Sequence, residues 1–181
     1  MGEPLTQRAS GAGSGQLLLQ GECKVSADPD VVLTTLLGSC VAACLHDPEA
    51  KVGGMNHFLV PFGSAGCTRS ERFGIHAMEV LINDLLKLGA QKSRLQAKLF
   101  GAAVLEEGMS FVGKENARFA KHFLEHEGIP CVASSLGGRR GRRLRYVPTT
   151  GMARLFWIES APPQRPIPPA RDHDDVIFSE E

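Results

Sequence analysis

The tripeptide Gly38-Ser39-Cys40 joins two apolar segments, residues 31–37 and 41–45. A bend there frees backbone N–H groups from strand or helix pairing and leaves them beside the thiol. A thiol with adjacent N–H donors provides the nucleophile and the oxyanion donors of acyl transfer. Burial as a small apolar residue is the usual fate of a free cysteine. The tripeptide alone therefore favours a core residue, and Cys40 becomes a candidate nucleophile only beside a base.

The candidate base is His57, in the segment Gly53-Gly54-Met55-Asn56-His57-Phe58. Imidazole can take the proton of a neighbouring thiol and later protonate a leaving amine. The residues Asp47-Pro48-Glu49-Ala50 predict a turn. A hairpin centred between residues 48 and 49 would place Cys40 directly opposite His57. A hydrogen-bonded core histidine is an equally good interpretation of the same pattern.

Two threonines, Thr34 and Thr35, precede the bend within an apolar run. A buried hydroxyl needs a hydrogen-bond partner, so either one could orient the imidazole, as an Asp or Asn does in other triads. Threonine is also common in strands for steric reasons, and the pattern alone does not choose between these interpretations.

Metal sites receive little support from the sequence. His122 and His126 stand four residues apart on a predicted helix, and residues 122–126 match H-x-x-E-H. No third ligand is evident, and a solvated helix face is favoured. The five cysteines are odd in number and lack C-x2-C spacing, which argues against a zinc ribbon and a disulfide framework.

Five arginines lie within residues 139–145. A solvated hairpin, a docking patch for an acidic surface, and an RNA site are the three interpretations. The 20 basic and 20 acidic residues balance, so composition gives no argument for nucleic acid as a partner. The sequence has no apolar run long enough for a membrane span and no export signal, which predicts a cytoplasmic protein without membrane insertion.

The remaining pattern predicts one mixed α/β layered domain over residues 17–159. A flexible Gly/Ser-rich tail is expected over 1–16 and a Pro-rich acidic tail over 160–181. Residues 41–45 fit a strand or a buried helix, and Ser39 as an N-cap slightly favours a helix. Apolar periodicity predicts helices over 70–88 and 114–127, and strands over 17–25, 52–60, 95–105, 130–135, 142–148 and 152–159.

Many ordered segments of this chain resemble the CheD family of chemoreceptor glutamine deamidases. The resemblance begins with Leu37–Ala42, Asp47-Pro48 and Gly53–Phe58. It covers about residues 17–155, nearly the whole folded part, and continues through Arg72–Gly74, Ala97–Ala103, Gly113–Asn116, Leu136–Gly138 and Pro148–Gly151.

The resemblance implies a specific chemistry. CheD proteins hydrolyse glutamine side chains of methyl-accepting chemotaxis receptors to glutamate, and the family's catalytic Cys, His and Thr fall on Cys40, His57 and Thr34. It also implies a layered α/β sandwich similar to the deamidating domain of cytotoxic necrotising factors. No metal or cofactor is expected, and the CheC phosphatase is a possible partner. The alternatives are a non-catalytic adaptor that binds receptors or CheC, and a thiol protease or transglutaminase-like acyl transferase.

Overall fold

The computed structural model describes residues 15–60, 68–105 and 110–158. They form two sheets and two long helices. The strands are β1 Gly15–Leu17, β2 Cys23–Ser26, β3 Val32–Leu37, β4 Val41–Asp47, β5 Val52–Phe58, β6 Gln96–Gly101, β7 Cys131–Leu136, β8 Arg142–Val147 and β9 Met152–Trp157. The helices are α1, Thr68–Lys87, and α2, Ser110–His126.

The strands form a four-stranded sheet and a five-stranded sheet, here called the outer sheet and the central sheet. The outer sheet has the order β1-β3-β8-β9, and the central sheet has the order β2-β5-β4-β6-β7. Each is mixed, because β1 pairs in parallel with β3 and β6 with β7, while the other pairs are antiparallel. Both helices pack on the central sheet. The predicted layered α/β architecture with mixed sheets is confirmed; its likeness to the toxin domain stays a prediction.

Strand β4 lies in the middle of the central sheet and is buried on both faces. Val41, Ala43 and Leu45 pack with the helices, whereas Ala42 and Cys44 pack against the outer sheet. A strand covered on both faces has a nearly continuous apolar sequence, which is why periodicity could not separate it from a buried helix. The slight preference for a helix based on Ser39 was wrong.

The β4–β5 hairpin brings the two candidate residues together, with a different register from the expected one. Asp47 pairs with Val52 and Ala42 pairs with His57, so the turn is centred between residues 49 and 50. The Asp47 carboxylate accepts hydrogen bonds from the backbone N–H groups of residues 49 and 50 and from Arg94, which fixes this turn. The register differs by two residues from the prediction. Because side chains alternate with a period of two, an even shift keeps them on the predicted face.

The other predicted elements are present with moved ends. Helix α1 begins at Thr68 and α2 at Ser110, earlier than periodicity indicated, and residues 17–25 divide between β1 and β2. The predicted tails, 1–16 and 160–181, lie outside the described residues, except that residues 15 and 16 belong to β1. Cys67 also lies outside them. Neither helix in the described part is both long and apolar enough to cross a bilayer.

Candidate active site

Cys40 lies where the chain leaves β3 and crosses to β4, on a segment fixed by its own carbonyl groups. The carbonyl of Gly38 accepts from the N–H of Ala103, and that of Cys40 accepts from the N–H of Ala102, each at 2.7 Å. Gly101 beside it has φ +116°, and a Cβ there would lie 2.1 Å from the Cys40 oxygen. Glycine is required at that position for conformation and for space. The end of β6 thus holds the cysteine segment in place.

Asn116 on α2 holds the remaining carbonyl of that segment. Its fully buried side-chain amide donates to the Ser39 oxygen at 3.2 Å and to Val112 on its own helix, and accepts from the Val60 N–H at 2.7 Å. The sequence did not predict this role for Asn116, which entered only as the last residue of one segment that resembles the CheD family. The available signal was a polar amide on the buried face of a helix, where a polar group requires partners.

Replacing Asn116 with aspartate is expected to lower the turnover rate about 10- to 100-fold, because a 1 Å displacement of a catalytic group costs about that much. The carboxylate cannot donate to the Ser39 and Val112 oxygens and repels both. Asn56→Asp is the matched control, since Asn56 is also buried and its amide donates to Ala77 instead. Turnover and urea unfolding of both variants would be measured. If Asn116→Asp and Asn56→Asp lose the same stability and the same activity, the result contradicts a positioning role for Asn116.

His57 lies between the thiol and a threonine hydroxyl. Its Nε2 is 2.8 Å from Cys40 Sγ, and its Nδ1 is 2.8 Å from Thr35 Oγ1. The Thr35 hydroxyl donates its proton to the Leu18 carbonyl, also at 2.8 Å. That hydroxyl can therefore only accept from Nδ1–H, which leaves Nε2 unprotonated in the neutral ring. The chain of contacts thus presents to Cys40 the nitrogen that can take its proton.

Thr34, which the family resemblance had placed in the orienting role, does not contact His57 in the structure. Side chains of β3 alternate, so Leu33, Thr35 and Leu37 are buried against the central sheet. Thr34 pairs with Arg145 on β8, and its side chain lies on the opposite face, next to Gly15 of β1. The structure therefore replaces Thr34 with Thr35 as the partner of the imidazole.

Burial sets the protonation of the pair. It raises the pKa of the Cys40 thiol above 9.0, although backbone hydrogen bonds at Gly38 and Cys40 partly oppose the rise. It also lowers the pKa of His57 below 6.5. Both directions disfavour charge, so the resting pair is a neutral thiol beside a neutral imidazole. The thiolate forms only as the proton moves to His57.

The acid limb of kcat/KM is accordingly expected to have its midpoint below pH 6.5. Below the lowered pKa, His57 carries a second proton and Nε2 cannot accept one from the thiol, so activity is lost as pH falls. The measurement is kcat/KM between pH 4.5 and 8, with unfolding monitored at each pH. A midpoint above 6.5 would contradict the lowered pKa of His57 as the origin of this limb.

The other sequence candidates do not join this site. His122 and His126 are exposed on α2. Cys44 is buried on the same face of β4 as Ala42, two residues further along, and does not contact His57. Across residues 15–60, 68–105 and 110–158, no group of three His, Cys, Asp or Glu side chains is arranged to hold a metal ion.

The chain is similar to known proteins over most of its length. The family model described as CheD chemotactic sensory transduction matches residues 61–156. A protein of Caulobacter vibrioides (strain NA1000 / CB15N) is 54% identical over 156 residues, covering 83% of each chain. The chain belongs to the CheD family. Since 83% of 181 residues is about 150, the span aligned with that relative begins no later than residue 32 and includes Cys40 and His57.

Other CheD relatives agree in name and extent. A Rhizobium etli (strain CIAT 652) protein is 54% identical over 154 residues, covering 83% of each chain. One from Agrobacterium fabrum is 52% identical over 171 residues, covering 89% of this chain and 94% of its own. All three relatives are named "Probable chemoreceptor glutamine deamidase CheD". Among solved structures, Bacillus licheniformis protein YfiH aligns with a TM-score of 0.42 and 17% identity over 62% of this chain and 49% of its own, too weak to support an argument.

Proposed function

We propose that this CheD protein is a protein-glutamine deamidase that converts glutamine side chains of methyl-accepting chemotaxis receptors to glutamate during adaptation. The observation that carries the proposal is the Cys40 Sγ–His57 Nε2 contact of 2.8 Å, with Nδ1 of the same ring oriented by Thr35. The names of the relatives supply the substrate class. The proposal is supported by a thiol and an imidazole in hydrogen-bond contact, the pair that thiol-based amide hydrolysis uses as nucleophile and base.

In the first half-reaction, the Cys40 sulfur attacks the amide carbon as His57 Nε2 takes the thiol proton. The carbonyl oxygen becomes an oxyanion, for which we assign the backbone N–H groups at the Ser39–Cys40 bend as donors. Collapse of this intermediate breaks the C–N bond, and His57 returns its proton to the departing nitrogen. Ammonia leaves, and a thioester joins Cys40 to the substrate.

The second half-reaction regenerates the enzyme. His57 takes a proton from water as the oxygen attacks the thioester carbon. The C–S bond then breaks, the substrate leaves as a carboxylic acid that ionises to glutamate, and Cys40 recovers its proton from His57. Thr35 accepts from Nδ1–H throughout and favours the same tautomer in both halves. The reaction as written consumes one water per glutamine and uses no cofactor.

The finer assignments belong to the same proposal. We infer that Cys40 and His57 are catalytic, that the protein works in the cytoplasm, where the receptors' modified segments would be reached, and that the CheC phosphatase is a candidate partner. The non-catalytic adaptor is less favoured, because a binding module has no need of an oriented thiol–imidazole pair.

The test is mass spectrometry of a purified chemoreceptor cytoplasmic domain incubated with the protein. Deamidation replaces NH2 by OH at the acyl carbon, so each modified glutamine gains about 1 Da in ordinary water and about 3 Da in H2(18)O. Protein first alkylated with iodoacetamide is the control. The result expected is a gain at defined glutamines of an uncut chain, absent with the alkylated protein.

Other outcomes reassign the activity. Cleaved receptor peptides would indicate a protease, and a gain of mass from an added amine would indicate an acyl transferase. An unchanged receptor that is nevertheless retained by the protein in a pull-down would favour the adaptor.

A further inference from the structure

The face of the outer sheet that points away from the central sheet is uncovered in the described part of the chain. Both helices pack on the central sheet, on the opposite side of the molecule. Strand register identifies the residues on this outer face, because directly paired residues share a face. Arg143 pairs with both Leu36 and Phe156, and Arg145 pairs with both Thr34 and Arg154. Strands β8 and β9 thus bring three arginines to one surface, beside Thr34 and Leu36 of β3.

This surface, the arginine face, is formed by Arg143, Arg145 and Arg154, and its charge is unbalanced. None of the four strands of the outer sheet contains an Asp or Glu. None of the three guanidinium groups has an ion-pair partner within 4.0 Å among the described residues. Arg142, by contrast, is buried and bonds to Ser135 and Gly137. Within the predicted cluster, Arg142 is therefore a structural residue, whereas Arg143 and Arg145 belong to a cationic surface.

Large apolar side chains lie between these charges. Leu36 and Phe156 are 51% and 48% exposed on either side of Arg143, and Met152 on β9 is 49% exposed. Leu17 pairs with Thr34 and is 53% exposed on the same face. Several exposed apolar side chains grouped on one sheet face are typical of a binding site. Its ligand would combine several carboxylates with a short apolar segment.

The chain itself carries such a segment directly after β9. Residues 172–181 read DHDDVIFSEE, five acidic residues around Val176-Ile177-Phe178. Residues 158–171 connect them to β9 and include five prolines. Fourteen residues of Pro-rich chain extend about 40 Å, more than the width of a four-stranded sheet. A tethered ligand is also present at an effective concentration that an external one rarely reaches.

We propose that residues 172–181 bind the arginine face, with their carboxylates beside Arg143, Arg145 and Arg154 and their apolar residues against Leu36 and Phe156. This inference is independent of the deamidase activity. It gives the arginine face an intramolecular ligand, on the side of β3 opposite to Thr35. An acidic partner would have to displace that ligand to reach the same surface.

Hydrogen–deuterium exchange of the full chain tests the proposal. The test variant is Arg143→Gln/Arg145→Gln. The matched control is Lys114→Gln/Lys121→Gln, which removes the same charge from exposed positions of α2. Amides of residues 172–181 are expected to exchange at least threefold faster in the test variant than in the wild type or the control. The same acceleration is expected for the wild type in 0.5 M NaCl, because exposed ion pairs are screened by salt.

Exchange in β4 and β5 verifies that all three proteins are folded. Equal exchange of residues 172–181 in the three folded proteins overturns the proposal. A pull-down then identifies the alternative ligand of the arginine face. If the lysine control retains an acidic receptor domain or single-stranded RNA and the arginine variant does not, the arginine face binds that external partner instead of the tail.

Discussion

Replacing Cys40 with alanine is expected to reduce the rate of glutamine deamidation at least about 10⁴-fold, because loss of the nucleophile from a coupled set removes nearly all of its rate enhancement. Sγ of Cys40 is the sulfur within hydrogen-bond distance of the imidazole. The three carbonyl contacts that fix the cysteine segment involve only backbone atoms of residues 38–40, so they survive the substitution. The expected cost in stability is only about 1 kcal/mol. Mass gain of the receptor domain against time gives the rate, and urea unfolding gives the stability.

Cys44→Ala is the matched control for this prediction. Cys44 lies four residues further along, packs in the same core between the sheets and is also buried. Burial raises its pKa well above that of an ordinary thiol, and it has no contact with His57. We expect the Cys44 variant to keep activity within about threefold, since a small cavity costs stability rather than chemistry. Loss of activity in both variants, or in neither, would contradict Cys40 as the nucleophile.

The parts of the fold that local pattern determines were predictable. Helical periodicity located α1 and α2, and the turn residues after β4 identified the hairpin that joins Cys40 to His57. The prediction of a facing Cys–His pair survived an error of two residues in register, because alternation returns the same face after two. An error of one residue would have separated them.

Two features of the site depend on contacts distant in sequence, which local pattern cannot show. Whether Thr34 or Thr35 is inward depends on which face of β3 packs against the central sheet, and that follows from pairing with β8 more than 100 residues away. Asn116 reaches Ser39 across 77 positions. A family motif indicated the general position of both, but hydrogen-bond partners are fixed only by the packed structure.

The choice between the two threonines gives the second large expected effect. Thr35→Val is expected to lower kcat about 10²- to 10³-fold, and Thr34→Val to leave kcat within about twofold, by analogy with other triads whose orienting residue is lost. Valine keeps the shape of Thr35 but cannot accept from His57 Nδ1–H. The proton can then move to Nε2, where it blocks transfer from the thiol.

A structural role for Thr35 is separated from an orienting one by Thr35→Ser and by the pH profile. Serine restores the hydroxyl and is expected to recover most of the kcat, although it lacks the methyl group that packs in the core. In Thr35→Val, the lost Nδ1 contact also removes stabilisation of the protonated ring, so the acid limb should move to lower pH as kcat falls. If Thr34→Val is the inactive variant and Thr35→Val retains activity, the residue that orients His57 is the one the family resemblance indicated, and the 2.8 Å Thr35–His57 contact is not the catalytic one.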